Sequence, residues 1–229
     1  MISLDELSSN LAAVRGRITA ACDRAHRDPS TVRLVAVTKT WPAEVVRLAW
    51  SAGLRDFGEN YAQEFADKAD ALADLEGLRW HFIGHLQSNK ARVVAPRASV
   101  VHSIDSVKLA TELGRRAESA SRSIDAIVQV NVSGEASKSG CEPAELSAVL
   151  AAIEASPSLR ARGLMTVPPA SEVAEEAATV FRALVALRDE HGGAARLPEL
   201  SMGMTHDLEV AIACGATMVR VGSALFGSR

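Results

Sequence analysis

Eight short apolar segments alternate with stretches of helical periodicity, and this alternation constrains the fold more than any other feature of the chain. Strands that alternate with helices form parallel sheets, because each helix returns the chain to the same end of the sheet. Eight strands in 229 residues predict an α/β fold, a closed (β/α)8 barrel of the TIM type in a single domain over 1–229. The predicted strands are 32–38, 56–58, 80–83, 100–103, 124–130, 161–165, 199–201 and 218–221. The helices predicted between them are 42–52, 61–75, 89–94, 107–119, 143–155, 173–190 and 206–214.

An extra helix is predicted before the first strand, over residues 3–26, with Ser3 as its cap and Glu6 three residues later. Its apolar residues recur at spacings of three and four: Leu4, Leu7, Leu11, Val14 and Ile18. The last strand is followed only by residues 222–229, which are too few for a full outer helix, so we expect the N-terminal helix to occupy that place. An open doubly wound sheet is the alternative, but its first turn is usually glycine-rich, and residues 38–42 contain no glycine.

Composition and charge exclude several functional classes. The 25 basic and 28 acidic residues leave a net charge of −3, and there are only three Trp, five Phe and one Tyr, which argues against a nucleic-acid-binding protein. Cys22, Cys141 and Cys214 have the spacing of neither a disulfide framework nor a zinc site. No apolar run reaches the roughly 20 residues of a membrane helix, and the N-terminus lacks a secretory signal. We therefore expect a cytoplasmic protein with no membrane segment.

The ends of the last two predicted strands have the composition of a phosphate site. Barrel enzymes often bind phosphate with the loops after strands seven and eight. Small and hydroxyl residues follow these strands: Ser201, Gly203, Thr205, Gly222 and Ser223. Glycine allows close backbone approach and hydroxyls donate hydrogen bonds, although small residues here also serve tight turns alone.

Three further polar positions leave alternatives open. Lys39 directly follows the first strand, where a lysine is either solvated or an amine in the barrel mouth that forms Schiff bases. Arg220 lies within an apolar strand, where it either faces outward toward a helix carboxylate, which the residues alone favour, or inward toward a ligand. His81 and His85 are four residues apart but straddle a strand end, so packed or paired histidines are favoured over a metal site.

Seven motifs in order at these strand ends resemble the pyridoxal phosphate homeostasis protein family, known as YggS in bacteria. The resemblance covers about residues 32–227. The motifs are LVAVTK (34–39), FGENY (57–61) with QE (63–64), WHFIGHLQSNK (80–90), VNVSGE (130–135) with KSG (138–140), GLMTVP (163–168), LSMGM (200–204) and VRVG (219–222).

This resemblance implies a fold-type III barrel of the alanine racemase N-terminal type that binds pyridoxal 5′-phosphate as a Schiff base on Lys39. It implies that Ser201, Gly203 and the Gly222–Ser223 turn hold the phosphate and that Arg220 faces the pyridine nitrogen. Asn60 and Met165 would lie near the ring. The sequence departs from the family at Thr205, where serine is common, and at Ser223, where threonine is common, but both substitutions keep a hydroxyl.

The resemblance further implies a carrier or buffer of the cofactor rather than an enzyme. Alanine racemases need a second base, a tyrosine from a separate domain, and this sequence has only Tyr61, at the start of a predicted helix. An arginine at the ring nitrogen also weakens the ring as an electron sink. The alternative is an amino-acid racemase or another fold-type III enzyme, with His85 or His102 as the opposed base. We expect a monomer, since no racemase-type second domain is evident, and expect pyridoxal-phosphate-dependent apoenzymes as recipients.

Overall fold

Eight parallel strands close into a barrel in the computed structural model, which describes residues 2–134, 139–169 and 174–227. The strands pair in chain order, and β8 pairs with β1, with Val35 opposite Arg220. The strands are β1 Arg33–Val37, β2 Asp56–Glu59, β3 Arg79–Phe82, β4 Val100–Ile104, β5 Ile124–Gln129, β6 Leu159–Met165, β7 Glu199–Ser201 and β8 Met218–Val221. The predicted (β/α)8 barrel is therefore confirmed, and the open-sheet alternative is wrong.

The helices surround the barrel as the alternation predicts, with shifts at their ends. They are α1 Leu4–Arg24, α2 Ala43–Ser51, α3 Ala62–Ala71, α4 Ala91–Val94, α5 Val107–Ser119, α6 Leu146–Glu154, α7 Ala174–Glu190, α8 Gly193–Arg196, α9 Leu208–Ala213 and α10 Ser223–Phe226. The short helices α8 and α10 were not predicted, because four residues carry too little periodicity to be recognised. The predicted start of α7 at residue 173, and Glu135 and Lys138 of the family motif, lie outside the described residues.

The N-terminal helix occupies the outer position beside β8. Ser3 caps α1 by accepting the N–H of Glu6 at 3.2 Å, as expected. Leu7, Leu11, Val14 and Ile18 are buried, whereas Leu4 is 45% exposed because it lies at the open end of the helix. Polar contacts then join α1 to α9 and α10: the Arg17 guanidinium pairs with Glu209 at 2.7 Å, and Asn10 Nδ2 donates to Leu225 O at 3.0 Å.

The inside of the barrel holds a small apolar cluster with polar residues beside it. Val100, Ile127, Met165 and Met218, from four different strands, form a buried cluster separate from the layer between strands and helices. Side chains two residues apart on a strand share a face. His102 follows Val100 by two, and Arg220 follows Met218 by two, so both side chains face into the barrel.

Features of other protein classes are absent from the described part of the chain. Within it, no helix is both long and apolar enough to cross a membrane. The same residues contain no group of three or more side chains able to hold a metal ion, and all three cysteines are free thiols. Burial raises the pKa of the Cys141 thiol to about 12, which disfavours a reactive thiolate there.

Candidate functional site

Lys39 lies exposed in the turn between β1 and α2, at the carboxyl end of the strand. The next residue, Thr40, has φ of 65° although it is β-branched. Such a conformation is unfavourable for a β-branched residue and persists only where neighbours impose it. The backbone N–H of Thr40 donates to Oε1 of Glu64, so a carboxylate on α3 holds this strained turn in place.

A buried ion cluster supports the same turn from below, and we call Glu59, Glu64 and Lys68 the lysine brace. Lys68 Nζ lies 2.7 Å from Glu59 Oε1, 2.6 Å from Glu64 Oε1 and 2.7 Å from the backbone oxygen of Thr38. The Thr38 hydroxyl also donates to Glu59 Oε1 at 2.7 Å. Burial raises the pKa of Glu59, and the opposing effect of Lys68 does not cancel this rise. The brace therefore ties β1, β2 and α3 together directly beneath Lys39.

The lysine brace was not predicted from the sequence. Glu64 and Lys68 are four residues apart on α3, a spacing that usually marks an exposed ion pair on a helix surface. That spacing does not reveal burial, and only the packing of α3 in the folded protein buries Lys68. The one available signal was the presence of Glu59 and Glu64 within one family motif, FGENY with QE.

The loops after β7 and β8 meet at the mouth, as predicted. The Ser223 hydroxyl donates to Thr205 Oγ1 at 3.2 Å, which joins the two loops. A Cβ on Gly222 would lie 3.3 Å from the backbone oxygen of Val37, so this glycine brings the β8 loop against the end of β1. In the described structure the N–H groups of Ser223 and Ala224 have no acceptor and are free to meet an anion.

Gly203 has a structural reason to be glycine that is independent of any ligand. Its φ is 92°, and an added Cβ would lie 2.5 Å from the Cβ of Ala211 on α9. Its backbone oxygen accepts the N–H of Arg220 at 2.9 Å. The sequence allowed two interpretations of Gly203, a tight turn alone or close approach to a phosphate. The place of Gly203 in the fold is compatible with both.

Arg220 faces into the barrel, and the interpretation that it points outward toward a helix carboxylate is wrong. The residue is 5% exposed. Its Nη1 donates to Ser201 Oγ at 2.7 Å, and its Nη2 donates to the backbone oxygen of Thr166 at 3.1 Å. Burial lowers its pKa to about 10, so the guanidinium stays charged near neutral pH. Thr166 directly follows Met165, which is buried inside the barrel.

Two predicted histidines lie next to this arginine, but not as a metal site. His102 Nδ1 is 2.8 Å from Ser201 Oγ, and His102 Nε2 is 2.8 Å from His81 Nδ1. Both imidazoles are fully buried, which confirms that His81 is a paired histidine. His85 is 55% exposed and lies 3.4 Å from Asp105, so it points away from this pair. The structure thus leaves His102 no ring nitrogen for proton transfer to a substrate.

Unpartnered buried polar atoms also occur near the carboxyl ends of β2 and β4. In the described structure Glu59 Oε2, Asn60 Oδ1 and Ser103 Oγ are buried without a hydrogen-bond partner. Such groups are costly in a folded protein unless a ligand or water satisfies them. Gly84 allows this arrangement, because a Cβ there would lie 2.1 Å from the backbone oxygen of Asn60. The free N–H groups and the buried guanidinium fit a polar ligand with an anionic end.

Comparisons with known proteins show the family to which this chain is similar. Residues 2–229 match the family described as alanine racemase, N-terminal domain. The chain is 50% identical to the pyridoxal phosphate homeostasis protein of Pseudomonas aeruginosa, across 99% of this chain and 97% of the relative. It is 43% identical to the protein of that name from Escherichia coli K12, across 99% of this chain and 98% of the relative.

Solved structures give the same result. PipY of Synechococcus elongatus PCC7942, solved with PLP bound, is 38% identical with a TM-score of 0.81, covering 96% of this chain and all of PipY. Alanine racemase from Corynebacterium glutamicum is 20% identical with a TM-score of 0.65, covering 96% of this chain and 62% of the racemase, which shows a shared fold only. By its identity with these relatives over nearly its whole length, the chain belongs to the pyridoxal phosphate homeostasis protein family.

Proposed function

We propose that this protein binds pyridoxal 5′-phosphate at the barrel mouth and acts as a carrier or buffer in the homeostasis of this cofactor. One observation carries the proposal: Gly222 lies against Val37, two residues before Lys39, so the amine-bearing turn and the candidate phosphate loops share one mouth. In PipY, a relative 38% identical to this chain, the described ligand is PLP. The chemistry of the mouth, an amine beside an anion site, suits a phosphorylated aldehyde.

Each site residue has a proposed role, which comes from the family resemblance and is compatible with its position. Lys39 Nζ would hold the cofactor through its aldehyde carbon, with the aldehyde oxygen leaving as water, and the charged guanidinium of Arg220 would donate toward the ring nitrogen. The phosphate would be held by the backbone of Ser201 and Gly203 and by backbone and hydroxyl groups of Thr205, Gly222 and Ser223, because the Ser201 hydroxyl is already engaged by Arg220 and His102. Asn60 and Met165 lie near the ring. When bound, the cofactor supplies an electrophilic aldehyde and an electron-withdrawing ring.

The surroundings of the ring favour a carrier over an enzyme. A guanidinium only donates hydrogen bonds, so Arg220 pairs with an unprotonated ring nitrogen, which withdraws electrons less strongly. Tyr61 is 55% exposed at the start of α3, where it cannot oppose Lys39 across a closed site. The relatives named above are called homeostasis proteins and not enzymes.

Cofactor binding is tested by titrating the cofactor-free protein with pyridoxal phosphate and recording its absorption spectrum. We expect a new visible band, lost in Lys39→Ala and kept in Lys90→Ala, which removes another exposed lysine at a strand-end loop. Borohydride reduction followed by peptide mapping is expected to label Lys39. A label on another lysine would contradict the assignment, and no band at all would contradict the proposed function.

A racemase or another fold-type III enzyme is the second candidate, since the fold is shared with alanine racemase. With His102 buried, the exposed imidazole of His85 beside Asp105 is the remaining opposed base. We expect negligible deuterium exchange at the α-carbon of L- and D-alanine compared with a known racemase. Exchange at a comparable rate that is lost in His85→Ala would replace the carrier function with an enzymatic one.

The remaining parts of the proposal concern the whole molecule. Residues 1–229 form a single cofactor-binding domain, the protein is a monomer in the cytoplasm, and pyridoxal-phosphate-dependent apoenzymes receive the cofactor; nucleic acids and membranes are not partners. Light scattering at micromolar concentration tests the monomer. Reactivation of a pyridoxal-phosphate-dependent apoenzyme by the loaded protein, at a rate above that of free cofactor leaking from it, tests delivery.

A further inference from the structure

A chain of four hydrogen bonds crosses the inside of the barrel from Asp56 to Arg220. Asp56 Oδ1 lies 2.8 Å from His81 Nε2, and His81 Nδ1 lies 2.8 Å from His102 Nε2. His102 Nδ1 lies 2.8 Å from Ser201 Oγ, which accepts from Arg220 Nη1 at 2.7 Å. Asp56 is the first residue of β2 and Ser201 is the last residue of β7, so the chain connects the amino end of the barrel with its mouth.

The two ends of this chain determine the direction of every bond in it. An ionised carboxylate only accepts and a guanidinium only donates, so His81 must present Nε2–H to Asp56. Burial lowers the pKa of both imidazoles, and a neutral imidazole carries one proton. His81 therefore accepts at Nδ1 from His102 Nε2–H, and His102 accepts at Nδ1 from the hydroxyl of Ser201.

Donation in the opposite direction along the chain is incompatible with the Asp56 carboxylate. If His102 donated from Nδ1 to Ser201, then His81 would have to donate from Nδ1 to His102. The unprotonated Nε2 of His81 would then face Asp56, whose pKa is lowered by the hydrogen bond and charges around it, so two lone pairs would meet. A single arrangement, with every group donating toward Asp56, satisfies all five side chains.

This arrangement explains how Arg220 is held without an ion pair. In the described part of the chain, no carboxylate lies within ion-pair distance of its guanidinium. Ser201 and the Thr166 carbonyl fix two of its donors, and the aligned bonds behind Ser201 lead to the negative charge of Asp56. Hydrogen bonds aligned in this way polarise one another, which strengthens each acceptor in a low-dielectric interior.

We propose that Asp56, His81, His102 and Ser201, here named the histidine relay, are positioning residues for Arg220. The relay makes Ser201 an obligatory acceptor, and this fixes the guanidinium in one orientation, with its remaining donors toward the ring nitrogen of pyridoxal phosphate. The part that concerns the ring nitrogen rests on the proposed function. The proton positions within the relay do not depend on the proposed function, because they are a property of the protein without its cofactor.

Ring-nitrogen NMR tests the proton positions in the cofactor-free protein. In protein labelled with ¹⁵N-histidine at neutral pH, we expect His81 and His102 to be neutral and protonated at Nε2, with signals assigned through His81→Gln and His102→Gln. A proton on Nδ1 of either histidine, or an imidazolium, would overturn the relay. Asp56→Asn, which removes the accepting charge, is expected to populate the Nδ1–H form of His81.

Cofactor binding tests the effect on Arg220, with Asp125→Asn as the matched control. Asp125 also lies at the amino end of the barrel, at 21% side-chain exposure against 17% for Asp56, and it too pairs with Arg79. We expect Asp56→Asn to shift the absorption band of bound pyridoxal phosphate and to weaken binding about two- to tenfold, the range one hydrogen bond supplies. Asp125→Asn is expected to change neither.

Ser201→Ala removes the acceptor next to Arg220 and keeps the test valid if Asp56→Asn does not fold. It is expected to shift the same band in the same direction. A band and affinity in both variants equal to those of Asp125→Asn would overturn the relay while leaving the proposed function intact. A wild-type protein that binds no pyridoxal phosphate would overturn the proposed function, and the NMR result would then decide on the proton positions by itself.

Discussion

Two buried polar groups lie beneath the barrel mouth: the lysine brace next to the end of β1, and the histidine relay, which crosses the inside of the barrel from β2 to β7. The brace joins opposite charges directly, with Lys68 Nζ at 2.7 Å from Glu59 and 2.6 Å from Glu64. The relay instead keeps the charge of Arg220 apart from that of Asp56 and connects them through neutral groups. The lysine brace supports the turn of Lys39 and the histidine relay supports Arg220, and we place both of these residues next to the cofactor.

The difference shows two ways to hold a functional side chain from behind. Lys39 itself is exposed and free to react, so the brace fixes only the backbone of its turn. Arg220 is buried, so the relay fixes its side chain. A charge cluster depends on each of its partners, because a lone buried ion is costly, whereas a relay of neutral groups depends on its proton positions.

Removing the cation of the brace is expected to have the largest effect. Lys68→Met keeps an unbranched side chain but leaves Glu59, which is fully buried, without its cation. Loss of one partner of a buried ion pair costs about 3–5 kcal/mol. We expect a loss of that size in the free energy of unfolding, measured by urea denaturation at neutral pH.

Arg47→Met is the matched control for the brace, because Arg47 forms an exposed ion pair with Asp74 at 2.7 Å. Exposed pairs contribute little, so its effect is expected to be much smaller. The double variant Lys68→Met with Glu59→Gln is expected to recover part of the loss, because it also removes the stranded charge. Equal losses in the two single variants would show that the brace is no more important than a surface pair.

Lowering the pH is expected to have the next largest effect, because it reduces the contribution of the relay to the free energy of unfolding. The contribution of Glu59 in the brace changes with pH in the opposite direction. Burial lowers the pKa of His81 and His102 in the folded protein, so the unfolded chain takes up protons first as the pH falls. Their stabilisation is present above the unfolded pKa of about 6.5 and is lost below it, by at most about 1.4 kcal/mol per pH unit for each imidazole. The pKa of Glu59 is raised, so its contribution is present at low pH and lost as the pH rises.

Urea denaturation from about pH 7 to about pH 5.5 measures this loss. The charged groups around the two imidazoles are Asp56, Arg33, Arg79 and Arg220, of which only the carboxylate favours protonation. His102→Gln is expected to flatten the acid side of the stability profile, whereas His206→Gln, at an exposed histidine, is expected to leave it unchanged. An unchanged profile in His102→Gln would contradict the buried neutral imidazole.

The smallest effect is expected from relieving the strain beside Lys39. Thr40→Gly removes the penalty of φ 65° but adds freedom to the unfolded chain, so we expect a gain of about 1 kcal/mol or less. Ser121→Gly is the matched control, because Ser121 also has a positive φ, of 52°, but is not held by the lysine brace. A clear loss of stability in Thr40→Gly alone would show that the threonine side chain, and not only its N–H, holds the turn.

Most of the site was accessible from the sequence, because the family motifs stand at the strand ends. Lys39, Gly203, Gly222 and Ser223 lie at strand ends around one mouth, and their contacts with the cofactor stay predictions. Arg220 was the exception, because the residues alone favoured an outward direction for its side chain. A charged side chain in an apolar strand usually faces outward. Its inward direction follows from the closed barrel, where Met218 and Arg220 share the inner face.

The sequence by itself determined the eight strands, the helices between them and the positions of the strand-end residues, because these depend on short-range periodicity and local motifs. Only the tertiary structure decided that Asp56, His81, His102 and Ser201 form one relay and that Lys68 is buried. The four relay residues lie on four different strands, and barrel strands are buried on both faces, so hydropathy does not distinguish the inner face from the outer. Strand register and barrel closure set which side chains meet, and these are properties of the whole sheet.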